Sequence, residues 1–341
     1  MKFRHYIALI LCLIFLASAF PYAVSAQDDI ATQAFEVRWT GRWISVTSND
    51  GLWLFDAENL EADPLHYFES TRIVVAAADP VRNRMAVYDE AAHNLLIIEP
   101  TTGDIITEIP TDFAALGLEE PEPARDLRYS DDGKLLALVF PSRIIVYDAA
   151  TSRERISYQN DLFMAIDSDV EPGTFVASTG YGMFLIYTPE VDYASGFFAT
   201  AAISDNEAIY RLEILPATRE VLYQQGNSLM RTDLETDEAG FSPMIPLFDD
   251  GVFSFDLNNA GDTVAVTSWE KIILYDLTSN ATRYEISTGE DNAVFSLSFS
   301  DDGSQLATLD WAGNLQIWDV ATGELLTDVY KFDYASSVWA G

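Results

Sequence analysis

The sequence predicts an all-β chain assembled from seven copies of one four-stranded unit, and three observations predict it. The first is a segment that recurs clearly three times. It runs Leu127-Arg-Tyr-Ser-Asp-Asp-Gly-Lys-Leu-Leu-Ala-Leu to Tyr147-Asp148, and Phe255-Asp-Leu-Asn-Asn-Ala-Gly-Asp-Thr-Val-Ala-Val to Tyr275-Asp276. The third copy is Leu297-Ser-Phe-Ser-Asp-Asp-Gly-Ser-Gln-Leu-Ala-Thr to Trp318-Asp319. Each copy reads as an alternating strand, an Asp-Gly-type turn, an apolar strand, and a strand closing on aromatic-Asp. The second observation is the spacing of that closing pair or its degenerate equivalent. It falls at Phe55-Asp56, Ile98-Glu99, Tyr147-Asp148, Tyr187-Thr188, Thr232-Asp233, Tyr275-Asp276 and Trp318-Asp319, a period of about 44 residues. The third is that every unit alternates apolar and polar residues over short runs, so each has two faces to bury.

One four-stranded sheet cannot bury both faces alone. Stacking seven in a ring hides them, and neither terminus reads as the cap an open stack needs. The expected architecture is a seven-bladed β-propeller with four antiparallel strands per blade. The blades occupy approximately 35–69, 70–110, 124–160, 161–203, 208–249, 250–289 and 292–333, in a single domain spanning 27–341. Phe35 to Trp39 reads as the inner strand of the first unit and Leu325 to Phe332 as the outer strand of the last. Thr111 to Pro123, rich in Pro and Glu, is expected to be a surface loop between the second and third units. The tail 334–341 resembles the start of another inner strand, and its place at the seam is left open.

Residues 1–26 read as a secretory signal: Lys2 and Arg4, an apolar run from Tyr6 to Phe20, and Val24-Ser25-Ala26 as a small-residue cleavage site. The alternative is a retained anchor, for which the run is short. Location is therefore expected to be secreted or periplasmic. The sole cysteine, Cys12, leaves with the signal, so burial alone must stabilise the remainder. The 341-residue chain carries 54 Asp+Glu against 19 Lys+Arg. A field of that sign repels phosphates, which excludes nucleic acid as a partner.

The unit ending Trp318-Asp319-Val-Ala-Thr-Gly-Glu-Leu-Leu resembles WD-repeat propellers of the divergent bacterial kind. The resemblance covers about residues 35 to 333 and is strongest in the third, sixth and seventh units. No unit has the Gly-His pair that opens such repeats, so their Asp-His-Ser/Thr-Trp hydrogen-bond set is not expected here. The resemblance implies that partners are contacted at the turns between second and third strands. Those turns carry Phe140, Tyr181, Trp269 and Trp311.

The loops joining one unit's outer strand to the next unit's inner strand emerge on the same face, and every one carries an acid. They include Asp161, Asp205 and Glu207, Asp249 and Asp250, and Glu290 and Asp291. Aromatics within an acidic surround suit a cationic, partly apolar partner such as a basic peptide. The bland alternative is that so acidic a chain has acids in most loops regardless. Trp39, Trp43, Trp53 and Trp318 lie within strands and read as wedge-filling core.

Little points to catalysis. His66 and His93 lie in different units, and two histidines cannot build a multi-His metal cage. There is no Gly-x-Ser-x-Gly elbow and no Gly-rich phosphate loop. Ser130-Asp-Asp-Gly133, Ser300-Asp-Asp-Gly303 and Gly261-Asp262 lack calcium-loop spacing and read as hairpin turns. The expectation is an exported binding scaffold without cofactor. The alternative is an extracytoplasmic hydrolase or lactonase with a divalent cation at the channel mouth.

Overall fold

The computed structural model describes residues 32–159, 162–169, 171–188, 197–202, 208–234, 245–248, 251–289 and 293–335. The expected signal segment lies outside the described residues. Among these residues every regular element is a strand, and no helix is long and apolar enough to cross a membrane. Seven sheets form a seven-bladed β-propeller, each blade of four antiparallel strands in chain order, with a short fifth strand added in parallel to the first sheet. The innermost strands, blade 1 to blade 7, are Gln33–Thr40, Ile73–Ala78, Asp126–Tyr129, Phe163–Ser168, Ile209–Ile214, Ser254–Leu257 and Val294–Phe299.

Ring closure is visible in the core. Seven hydrophobic clusters form, one at each junction between neighbouring blades. Second strands are sandwiched on both faces, so Leu135–Phe140 is buried at every residue. Outer strands face solvent, so Arg153–Gln159 has no buried residue. The junction between blades 7 and 1 is as apolar as the others, pairing Val37, Ile44 and Phe55 with Leu309, Leu315 and Phe332.

At the seam a short C-terminal strand joins the sheet of blade 1 as a fifth strand. The chain leaves the last outer strand (Leu325–Lys331), and Tyr334–Ala335 pairs in parallel with Gln33 and Ala34 on the channel side of blade 1. The Asp333 carboxylate accepts the Thr32 N–H at 2.7 Å. Across the same seam Ser296 and Ser298 accept the N–H groups of Val37 and Trp39 at 3.1 and 3.0 Å. An inner strand is a sheet edge, and these hydroxyls satisfy donors that no further strand can reach.

The repeat landmarks have local causes. Ser130 Oγ accepts the Leu135 N–H and Ser300 Oγ accepts the Gln305 N–H, both at 3.0 Å. Gly133 and Gly303 take φ of 65° and 68° between them, which any Cβ would strain. The Asp-Gly sites are thus turns, as expected. The closing aspartates cap the next turn: Asp148, Asp276 and Asp319 accept the N–H groups of Thr151, Ser279 and Thr322 at 2.9, 2.8 and 2.7 Å. Without a Gly-His partner, the acid serves the hairpin instead. One half of the WD-type set does persist, for Trp318 Nε1 donates to Thr308 Oγ1 at 2.9 Å.

The segment 111–123 is the expected surface loop between blades 2 and 3, mostly exposed, but it is anchored on the core. Phe113 is buried, and Leu116 and Leu118 pack with it against the junction of blades 2 and 3. The Arg143 guanidinium donates to the Leu116 carbonyl, anchoring the segment's backbone. Three apolar side chains among its acids and prolines thus pin an otherwise exposed loop to the core.

Candidate functional site

The channel is built by the inner strands, and the repeat places equivalent residues in rings around it. One ring holds Arg38, Ala77, Arg128, Asp167, Glu213, Asp256 and Ser298, one from each blade. A second ring, two residues earlier in each strand, holds Glu36, Val75, Asp126, Ala165, Arg211, Ser254 and Ser296. Alternation along a strand sends both positions inward. Eight of these fourteen positions are ionisable, three guanidiniums and five carboxylates.

Just before the second ring the strands carry an extra residue. The pairing steps from Ala34 to Glu36, Ile73 to Ala76, Phe163 to Ala165, Ile209 to Arg211 and Val294 to Ser296 while the partner strand advances less. Such β-bulges re-aim a side chain. They turn Phe35, Met164, Tyr210 and Phe295, with Arg125 and Phe253 at the matching positions, into a collar around a cavity of about 500 Å³. A larger cavity of about 850 Å³ opens at the opposite end, bordered by Asp131, Asp301, Asn258 and Pro216. Arg38, Arg128 and Arg211 line both cavities.

The channel charges have a structural duty. Asp126, Asp167 and Asp256 each reach to the next inner strand and accept its N–H group. Their partners are Ile166, Ile214 and Phe299, at 3.1, 2.9 and 2.7 Å. Arg38 pairs with Glu36 at 3.0 Å and Asp126 at 2.9 Å, and Arg128 pairs with Glu213 at 3.2 Å.

Environment then separates the carboxyls. Burial alone would raise the Asp126 pKa, but the guanidiniums of Arg38 and Arg128 outweigh it and hold it low. Burial, reinforced by the Glu213 charge, pushes Asp256 up to about 7 and raises Asp167 well above the usual range. Glu213 sits between these two in the ring, so blades 4 to 6 present three consecutive carboxyls.

The sequence-predicted aromatics divide. Trp269 and Trp311 come together, ring centroids 6.3 Å apart at 85°, with Phe253 of the collar packed edge-on to Trp269 at 4.6 Å. Trp269 remains 46% exposed. Gly251, at φ +72°, passes so close to it that an added Cβ would lie 2.9 Å from the indole. Tyr181 is 51% exposed in the corresponding turn of blade 4. Phe140 is a correction: it is fully buried, because Phe113 of the 111–123 segment packs over it at 5.4 Å. The acids Asp161, Asp205, Glu207, Asp249, Asp250, Glu290 and Asp291 lie outside the described residues.

The two histidines among the described residues are accounted for by packing. His66 stacks on Trp53 with centroids 3.8 Å apart, and His93 meets Phe113 edge-on at 5.3 Å. Sequence reasoning missed the channel ring. Its signal was a charged residue between apolar neighbours at one repeat position: Leu127-Arg128-Tyr129, Ile166-Asp167, Leu212-Glu213-Ile214, Phe255-Asp256-Leu257.

No protein-family model matches the sequence, and no curated protein matches it significantly. Solved structures do resemble it. The β-propeller domain of Cps50 (Swd1) from Myceliophteria thermophila superposes with a TM-score of 0.65 at 12% identity. The match covers 88% of this chain and 97% of that one. Hydrazine synthase of Kuenenia stuttgartiensis also gives a TM-score of 0.65, at 13% identity over 89% of this chain and 99% of that one. At such identities the likeness establishes the propeller fold alone.

Proposed function

We propose that this protein is an exported, non-catalytic propeller of the divergent bacterial WD-repeat type, and that its aromatic-bearing face holds a protein or peptide segment with basic residues. One observation carries the reading: Trp269 is half exposed yet packed edge to face against Phe253 and Trp311. A large ring already ordered loses little entropy on binding, the property of an interface anchor. The three rings pack edge to face, so the exposed indole of Trp269 is held upright as an anchor. Basic character in the partner is favoured by the neighbouring sequence. Asp249 and Asp250 directly precede Gly251, and Glu290 and Asp291 stand just before Asn292-Ala293, whose Ala293 carbonyl accepts the Trp311 N–H at 3.2 Å.

The test is affinity capture from the native envelope or culture fluid, with the protein starting at Gln27 as bait. Trp269→Ala and charge reversal of Asp249 with Asp250 should each deplete the captured partner, the second most strongly at low salt. Equal capture by all three baits sinks this reading. Export is checked separately by cell fractionation and N-terminal sequencing, which should return Gln27. A calcium- or magnesium-dependent rise in melting temperature would instead favour a metal-dependent enzyme.

A further inference from the structure

The channel mouth beside Trp269 reverses the charge of the chain. The sequence holds 54 Asp+Glu against 19 Lys+Arg. Yet the cavity of about 500 Å³ at this end is bordered by the guanidiniums of Arg38, Arg125, Arg128 and Arg211 and by only two carboxylates, those of Glu36 and Asp126. Both carboxylates are engaged. They lie 3.0 and 2.9 Å from Arg38, and Asp126 also accepts the Ile166 N–H. Arg128 is paired with Glu213 at 3.2 Å.

Arg211 is the cation left over. Its Nη1 donates to the neutral hydroxyl of Ser254 at 2.9 Å. Arg211 acts on Asp256 of the next blade through space, but among the described residues no carboxylate oxygen comes within 4.0 Å of its guanidinium. Its Nε is buried and meets no acceptor among those residues. A guanidinium in this position forgoes the charge-assisted bonds that an anion would give it. Arg125 stands above it at the collar, its Nη1 resting on Met164 Sδ at 3.3 Å, a weak acceptor. Burial lowers the proton affinity of Arg125 despite the charge of Glu122, so a further anion beside it is favourable.

The walls decide what carries that anion. The bulged inner strands turn Phe35, Met164, Tyr210 and Phe295 to this mouth, and Phe253 joins them. Tyr210 is 43% exposed. An apolar lining with a few convergent polar groups, in a volume of this order, is the form of a small-molecule site. A bare inorganic anion would leave the collar unused. We propose that this cavity binds a carboxylate carried on an apolar body, its charge on Arg211 and its aromatic or branched group against the collar. Free small acids and peptide C-termini share this chemistry. The site stands on Arg211 and not on Trp269, so it can fail while capture of a partner at Trp269 succeeds, and the reverse.

Isothermal titration of the purified protein with N-acetylphenylalanine, at pH 7 and moderate salt, tests the proposal. Saturable binding is expected. N-acetylphenylalanine amide keeps the ring and loses the charge, whereas N-acetylglycine keeps the charge and loses the ring. Each should bind about tenfold more weakly or worse, and neither arm needs a variant. Arg211→Gln should weaken N-acetylphenylalanine by a similar factor and Arg211→Lys by less. Arg153→Gln, on an exposed outer strand, should leave it unchanged. The tetrapeptide Lys-Lys-Ala-Phe with a free C-terminus separates the two sources. Tighter binding than N-acetylphenylalanine assigns the site to a peptide C-terminus, and equal or weaker binding assigns it to a free acid. The proposal is overturned if N-acetylphenylalanine does not bind, or if its amide or N-acetylglycine matches it. It is equally overturned if Arg153→Gln weakens binding as much as Arg211→Gln.

Discussion

Asp256 of blade 6 accepts the backbone N–H of Phe299 in blade 7 at 2.7 Å, joining two inner strands that share no β-ladder. Asp126 and Asp167 make the same reach to Ile166 and Ile214. The channel wall is therefore stitched by carboxyl-to-backbone bonds, and the stitching depends on groups that titrate.

Stability should depend on pH with a definite sign. An unfolded aspartate takes up its proton only near pH 4, whereas Asp256 in the fold does so at about 7. Between those values the folded chain holds a proton that the unfolded chain lacks, so stability falls as pH rises. Asp276 runs the other way. The Ser279 N–H and Arg283 hold it at about 2, and what it contributes is lost only as pH falls from about 4 towards that value. Thermal melts should give a higher midpoint at pH 5 than at pH 8. Asp256→Asn, whose amide oxygen can still accept the Phe299 N–H, should narrow that difference; an unchanged difference would contradict the assignment.

The blade 7 to blade 1 seam should be sensitive to single hydroxyls. Ser298→Ala strands the Trp39 N–H in a buried site, and an orphaned buried donor costs about 1–3 kcal/mol. Denaturant titration reads this as a lower midpoint. Ser304→Ala, in an exposed turn, removes a bond to Asp302 that water can replace and should cost much less.

Phe113→Ala should destabilise by about 3 kcal/mol, the usual range for emptying a buried aromatic site. It should also expose Phe140, whose ring it covers. A chemical melt within about 0.5 kcal/mol of the parent would mean that Phe113 does not anchor the loop.

Trp318→Phe should cost about 1–3 kcal/mol, because it leaves the buried Thr308 hydroxyl without its indole partner. The double variant with Thr308→Val, which removes both polar groups, should recover part of the loss. No recovery would show that the pair contributes through shape alone.

The fold was legible because its signals are local. The Asp-Gly turns, the apolar second strands and the aromatic-Asp closures each act within about ten residues, and their recurrence counted the blades. The site was less legible. Phe140 occupies a turn-side position that reads as exposed, and only the folding back of Phe113 buries it. Trp269 and Trp311 were found by position, but their contact with Phe253 depends on two blades lying side by side.

By itself the sequence determined the strand pattern, the sevenfold repeat and the strongly acidic balance, because periodicity and charge count are properties of the chain. Tertiary structure alone decided which charges meet. Asp167, Glu213 and Asp256 are each more than forty residues from the next, and only closure of the ring brings them to one wall. Their proton affinities follow from that closure, since burial and mutual repulsion do not exist until the blades surround them.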